Sequence, residues 1–145
     1  MFAKILYPTD FSDVSKKALA YLKRLKDAGA KEIVILHVID ERKIEAIALY
    51  GTGGSLVFIK KMEQEARKEV IAIEEELKKC GFEVKVRIET GVPLKEILRV
   101  EEEEKKVSLI VIGSHGKTNI KEMLIGSVSE KVIRRAKNPV LVIKR

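Results

Sequence analysis

The feature that most constrains this chain is an alternation. Short, β-branched apolar runs take turns with longer stretches whose apolar residues recur every three or four positions. Lys4-Ile5-Leu6-Tyr7 is an apolar run closed by Pro8, and Phe11, Val14, Ala18, Leu22, Leu25 and Ala28 follow at helical spacing up to Gly29. Glu32 to Ile39 reads as a strand covered on both faces. From about Val57 to Cys80 the residues Met62, Ala66, Val70, Ile73 and Leu77 repeat as a long helix, with Gly81 at its C′ position. Val84, Val86 and Ile88 alternate with charged residues, which predicts a strand at a sheet edge. A helix then starts near Pro93 with Leu94, Ile97 and Leu98 inward. Val107 to Ile112 is a further buried run. A helix from about Ser127 to Ala136 precedes the final strand, Pro139 to Ile143.

An order of βαβαβαβαβ implies a parallel sheet with right-handed crossovers and helices on both faces. The expectation is an α/β, single-domain, open five-stranded parallel sheet over residues 1–145. At 145 residues the chain is the size of one domain, and no internal repeat or linker divides it. Its uninterrupted apolar runs, such as Ile33 to Leu36 and Leu109 to Ile112, fall far short of the ~20 residues that span a bilayer. Lys4 and Tyr7-Pro8-Thr9-Asp10 interrupt any signal-peptide core. Cys80, the only cysteine, rules out an intramolecular disulfide and fits a reducing compartment. A cytoplasmic protein without membrane partners is expected. Eighteen Glu and 21 Lys against one Gln and two Asn raise the expectation of a thermophilic source.

The net charge of +7 is uneven: +2 over residues 1–58, −1 over 59–112 and +6 over 113–145. Lys131, Arg134, Arg135 and Lys137 fall in the last turns of a helix, where cations complement its dipole and stay solvated. No helix-turn-helix, zinc-finger or aromatic RNA-binding signature accompanies them, so no specific nucleic-acid partner is expected. The acidic run Glu101 to Glu104 reads as a solvated helix end. Residues 40–56, with Gly51, Gly53 and Gly54 beside Ile44, Ile47, Leu49 and Tyr50, allow a lid, a subunit contact, a short docked helix or partial disorder.

The chemistry gathers at two places. Gly113-Ser114-His115-Gly116-Lys117 directly follows strand four, and such loops bring bare backbone N–H groups up to phosphates. Gly126 then introduces Ser127-Val128-Ser129-Glu130, a Ser-x-x-Glu capping-box pattern at a helix start whose dipole favours an anion. Asp10 follows strand one. For strand order 3-2-1-4-5 the ligand crevice separates strands one and four, so Asp10 would face Gly113. Asp10 could accept from a ribose or hold a divalent cation through water. His115 is placed to donate to a phosphate or move a proton, while His37, on a buried strand, reads as a satisfied structural side chain. Lys117 could reach phosphate or remain a surface lysine. No Gly-x-x-x-x-Gly-Lys-Ser/Thr loop and no Gly-x-Gly-x-x-Gly turn is present. A receiver domain would need an aspartate ending strand three, where Ile88-Glu89-Thr90 stands.

Gly113-x2-Gly116-x9-Gly126-Ser127, with Ile5-Leu6-Tyr7-Pro8-Thr9-Asp10 and Leu36-His37-Val38, resembles the ATP-binding branch of the universal stress protein family over essentially the whole chain. The resemblance implies a Rossmann-like fold, akin to the adenine nucleotide alpha hydrolases. It implies that Pro8, Thr9 and Asp10 line the adenosine and that Val38 contacts adenine through backbone and packing. Ile112 and Gly113 would flank ribose and phosphates, and Gly116, Gly126, Ser127, Val128 and Ser129 would surround the phosphate chain. Position 129 is often threonine in the family, and serine keeps the hydroxyl. ATP with Mg2+ or Mn2+ is the expected ligand, and an unidentified regulatory protein is a possible partner. The main expectation is a nucleotide-dependent regulatory switch. Its rivals are a slow, metal-dependent ATP hydrolase and a dimeric scaffold that binds no nucleotide. A homodimer through strand five is expected from that strand's apolar edge and from the family's pattern.

Overall fold

A computed structural model of the chain describes residues 1–50, 55–116 and 125–145. Lys117 and the glycines at 51, 53 and 54 lie outside the described residues. Five strands form one parallel sheet: β1 (Lys4–Pro8), β2 (Glu32–Asp40), β3 (Glu83–Gly91), β4 (Leu109–Gly113) and β5 (Val140–Ile143). Their order is β3-β2-β1-β4-β5, the order on which the sequence reading placed the crevice, and the expected edge position of β3 holds. The helices are α1 (Asp13–Leu25), α2 (Glu41–Tyr50), α3 (Ser55–Lys79), α4 (Pro93–Glu103) and α5 (Ser127–Arg135), with a 3-10 turn at Lys26–Ala28. Thus α2, a short helix, occupies much of the stretch the sequence leaves irregular. Glycines in the left-handed region, Gly29 at φ +101° and Gly81 at φ +92°, follow the 3-10 turn and α3.

The period of two along each strand divides the interior into two cores. Ile5, Tyr7, Ile33 and Ile35 face α1 and α3, where they meet Ala18, Leu22, Val70, Ile73 and Leu77. Leu6, Val34, Leu36, Ile110 and Ile112 face the other way, against Ile97 and Val100 of α4 and Val132 of α5. Each fully buried side chain of this size contributes about 1.5–3 kcal/mol, so both sheet faces are strongly specified. No helix among the described residues is long and apolar enough to cross a membrane.

Two charged positions correct the sequence reading. Glu101 and Glu104, expected in solvent, are each only 6% exposed. Glu101 Oε1 accepts from the backbone N–H groups of Lys137 and Asn138 and from Asn138 Nδ2, each at 2.9 Å. Glu104 pairs with Lys4 at 3.2 Å and Lys85 at 2.6 Å. A buried carboxylate is tolerable only with such partners. On α4 the inward positions are accordingly Ile97, Val100 and Glu101, while Leu98 is half-buried. The basic side chains of Lys131, Arg134, Arg135 and Lys137 are exposed, in keeping with the solvated reading.

Unequal strand lengths create the space for a site. β2 pairs with β3 over nine residues but with β1 only from Lys4↔Glu32 to Pro8↔Leu36. Its last four residues, His37 to Asp40, run on past the point where β1 leaves the sheet. Helix α3, 25 residues and about 37 Å long, also extends beyond the strand ends.

Candidate functional site

A crevice of about 650 Å³ opens at the carboxyl ends of β1, β2 and β4, where the strand order reverses. Every residue expected at the site lines it. Pro8, Thr9 and Asp10 come from the end of β1, and Val38 from the overhang of β2. Ile112, Gly113 and Gly116 come from β4 and the loop after it, and Gly126, Ser127, Val128 and Ser129 from the entry to α5.

The turn after β1 is held by its own polar groups. The backbone N–H of Phe11 donates to Thr9 Oγ1 at 3.1 Å, and that of Ser12 donates to Asp10 Oδ1 at 2.9 Å. Ser12 is the N-cap of α1, its hydroxyl accepting from the Ser15 N–H at 3.2 Å. Ser15 Oγ donates to Thr9 Oγ1 at 2.6 Å, and Tyr7 O–H donates to the Ser15 carbonyl at 2.6 Å. Burial raises the Tyr7 phenol above its ordinary value, against the opposing hydrogen bonds of Ser15 and Thr9, so it stays a neutral donor. Phe11 itself sits at φ +63°, a strained conformation for a bulky residue.

The glycines face this turn across the crevice. A Cβ on Gly116 would stand 2.9 Å from Asp10 Oδ2, so the bare backbone of the loop lies directly beside the carboxylate, and a side chain there would require Asp10 to shift. Gly113 packs against the first turn of α1, where a Cβ would meet Val14 and Ser15 at 3.1 Å. The loop is tied to α5 by Gly126 N–H to the Ser114 carbonyl at 2.6 Å and by Ser129 Oγ to the Gly113 carbonyl at 2.6 Å. One expectation fails here: Gly126, not Ser127, is the N-cap of α5, and no side chain caps the helix. The helix starts one residue early, the Gly126 carbonyl accepting from the Glu130 N–H at 3.0 Å, which leaves Ser127 exposed on the first turn, lining the crevice. The N-terminal dipole of α5 still faces the cavity. His115 is 8% exposed and also lines the crevice, with Nδ1 2.7 Å from Ser114 Oγ.

Several lining residues escape sequence reasoning. Met62 and Ala66 reach the cavity from the overhanging half of α3, Pro93 and Ile97 from α4, and Asp40 and Arg42 from the junction of β2 and α2. Arg42 forks onto Asp40 through Nε at 2.9 Å and Nη2 at 2.7 Å, and these hydrogen bonds hold the Asp40 carboxyl below its usual range. His37, expected in the interior, is half-buried and lines the crevice, stacked on Phe11 with ring centroids 4.4 Å apart. A strand that outruns its neighbour exposes whatever follows, and the overhang of β2 shows itself only once its register with β1 is known.

Strand order sets the layout. The β2 end, the β1 end and the β4 loop lie side by side, giving in sequence a mostly apolar slot, a carboxylate and a bed of backbone N–H groups at a helix start. Such a series matches a flat apolar ring, a hydroxylated linker and a chain of anions.

Comparison with known proteins agrees with this geometry. The model of the universal stress protein family matches residues 1–144. Universal stress protein MJ0577 of Methanocaldococcus jannaschii is 43% identical over 157 residues, spanning all of this chain and 96% of that protein. Universal stress protein YxiE of Bacillus subtilis is 40% identical over 151 residues, spanning 99% of this chain and all of that one. The solved structure of MJ0577 superposes with a TM-score of 0.90 at 45% identity, over 100% of this chain and 97% of the other. Two more distant structures share the fold. One is a universal stress protein in complex with cAMP, at 24% identity and a TM-score of 0.65, over 99% of this chain and 97% of that one. The other is an Arabidopsis thaliana member with AMP bound, at 17% and 0.64, over 99% and 92%. With the whole fold, the order of its strands and nearly every residue accounted for by one family, the chain belongs to the universal stress proteins.

Proposed function

We propose that this chain binds ATP in the switch-point crevice and works in the cytoplasm as a nucleotide-dependent regulatory protein. The observation that carries the reading is the juxtaposition of Asp10 Oδ2 with Gly116, across a cavity that the start of α5 also enters. Asp10 takes the ribose hydroxyls. The loop of Gly113 and Gly116, with Gly126 and the first turn of α5, takes the phosphates. The base lies against Val38, and Ile112 flanks the ribose and phosphates. The family members holding cAMP and AMP support an adenine nucleotide as the class of ligand.

A metal ion fits this arrangement only in company with the nucleotide. Among the described residues no three His, Cys, Asp or Glu side chains cluster as a metal site. Asp10 offers one carboxylate, and Mg2+ characteristically pairs one or two carboxylates with substrate phosphates and water. Asp10 would hold Mg2+ or Mn2+ in that shared way, through water and in place of a ribose hydroxyl, and the ion would neutralise phosphate charge. The regulatory output passes through a homodimer joined at β5 and a protein partner that reads the nucleotide state.

Titration calorimetry with ATP, ADP and AMP tests the reading. ATP should bind tightest, because the loop and helix start act mainly on phosphates, and Gly116→Val should weaken ATP at least about tenfold by adding a side chain where phosphate must approach. Equal affinity for ATP and AMP, or a folded Gly116→Val protein with unchanged affinity, would remove the phosphate seat from the proposal.

A further inference from the structure

The overhang of β2 raises a question of accounting, since backbone N–H and C=O groups next to a parallel ladder ordinarily pair. Thr9 N–H donates to the Leu36 carbonyl at 2.8 Å, so Leu36 directs its main-chain groups toward β1. Alternation turns those of His37 toward β3 and those of Val38 toward β1 again. Had the ladder continued one step, the Val38 N–H would donate to the Thr9 carbonyl, and the Phe11 N–H would donate to the Val38 carbonyl. Neither bond forms, and each prospective partner has another contact. The Thr9 carbonyl accepts from His37 Nδ1 at 2.8 Å, and the Phe11 N–H is committed to Thr9 Oγ1. A carbonyl can only accept, so Nδ1 carries the proton and the tautomer of His37 is fixed at that atom. The stack on Phe11, itself held at φ +63°, sets the plane of the ring.

We propose that His37 is a positioning residue for base recognition: by occupying the Thr9 carbonyl it ends the β1–β2 ladder one step early and keeps the Val38 N–H and C=O turned into the crevice. A donor and an acceptor side by side on one residue match the Watson–Crick edge of adenine, which offers a ring-nitrogen acceptor beside an amino donor. Inosine presents the reverse, a protonated ring nitrogen beside a carbonyl. The adjacent groups would then meet donor to donor and acceptor to acceptor, a mismatch that polar sites reject strongly. Pocket shape alone separates the two bases poorly, since they have nearly the same outline. This inference rests on the nucleotide reading for its ligand, but its structural half stands without it.

The test uses the full chain and two substitutions. His37→Phe keeps a ring for the stack and removes the donor, while His37→Asn places an amide donor near the position of Nδ1. In nucleotide-free wild type the Val38 amide should exchange its hydrogen far faster than the Leu36 amide, which lies within the ladder. In His37→Phe the Val38 N–H should close onto the freed Thr9 carbonyl, slowing its exchange about tenfold or more. The preference for ATP over inosine triphosphate should fall by a similar factor, with affinity for tripolyphosphate unchanged. His37→Asn should restore both the fast exchange and the preference, a recovery that a merely structural role would not produce. A Val38 amide as protected as Leu36 in the free wild type overturns the proposal, and so does unchanged Val38 exchange in folded His37→Phe. If His37→Phe does not fold, His37→Asn carries the same decision: loss of fast exchange or of base preference there overturns it. A wild type that binds neither triphosphate refutes the nucleotide reading, and the exchange measurements then judge the early end of the ladder by themselves.

Discussion

The two edges of the sheet are built on opposite plans. β3 is nine residues long and carries Lys85, Arg87 and Glu89 on its α4 side, where they join a lattice of ion pairs. Arg87 reaches Glu89 at 2.8 Å, Glu103 at 2.7 Å and Glu104 at 3.4 Å, while Arg99 reaches Glu89 at 3.3 Å. β5 is four residues long and apolar throughout: Val140 and Val142 face one core and Leu141 and Ile143 the other. A second strand docking on β3 would have to desolvate paired charges beside it, whereas one docking on β5 would cover apolar side chains. Solvated charge keeps a long edge to itself. The short apolar edge, whose outward backbone groups meet no further strand among the described residues, is the one on which the proposed dimer rests.

The ladder shows which groups on β5 are open. Ile110 N–H donates to the Pro139 carbonyl and Ser114 N–H to the Ile143 carbonyl, so the odd-numbered residues of β5 face β4. Val140 and Val142 therefore turn their N–H and C=O outward. If β5 pairs with its own copy about a two-fold axis, Val142→Pro removes a donor from each side at once and leaves the β4–β5 ladder intact. The cost should be about 4 kcal/mol, roughly a thousandfold in the dimer dissociation constant, from two lost bonds and the ring's bulk. Sedimentation at micromolar concentration should show a wild-type dimer and a variant monomer. A monomeric wild type would end the dimer proposal, and a dimer indifferent to Val142→Pro would move the interface away from β5.

The contrast between the edges also separates what was legible in the sequence from what was not. Edge and interior positions followed from local patterns: the alternation at Val84, Val86 and Ile88 marks an edge, and the continuous run at Glu32 to Ile39 marks a central strand. The glycine spacing of 113, 116 and 126 brings those residues to one cavity because the strand end and the start of α5 are adjacent. Partners distant in the chain were invisible. Glu101 and Glu104 look like members of a solvated run, yet one is satisfied by Lys137 and Asn138 and the other by Lys4, a hundred positions away. His37 looks like an interior residue because the length of β1 cannot be compared with that of β2 until both are in register. The expected capping box is absent because the Glu130 N–H it requires donates to the Gly126 carbonyl, a helix start that residue types alone do not announce.

Glu101 offers a sharper test of how the apolar edge is held. Its single Oε1 gathers three donors from the turn between α5 and β5, so the direction in which β5 leaves α5 depends on a side chain of α4. Glu101→Ala leaves two backbone N–H groups and an amide without their acceptor. A loss of about 3 kcal/mol in urea unfolding is expected, and any dimer through β5 should weaken with it. Glu101→Gln retains an oxygen acceptor and should recover much of that loss. A change below about 1 kcal/mol for Glu101→Ala would mean that water replaces the carboxylate and that the turn holds itself.

The smallest effect belongs to the charged edge and shows itself in pH. Burial works to raise the Glu104 carboxyl, but hydrogen bonds and charge from Lys85 and Lys4 outweigh it, so its value in the folded protein lies below the ordinary 4.5. A group whose folded value is depressed contributes stability above the unfolded value, and that contribution is lost as pH falls through the folded one. Wild type should therefore exceed Glu104→Gln by about 1 kcal/mol near neutrality, the magnitude being modest because Lys85 is half exposed. The two stability curves should draw together below pH 4.5 as Glu104 takes up its proton. High salt should narrow the neutral gap only slightly, because Glu104 and Lys4 are shielded from solvent. Sedimentation of Glu104→Gln should match wild type, since the charged edge takes no part in the proposed contact. Curves that stay parallel into acid would show that glutamine disturbs packing and that the charge of Glu104 contributes nothing. A change in association would show that β3, for all its charge, lies at an interface.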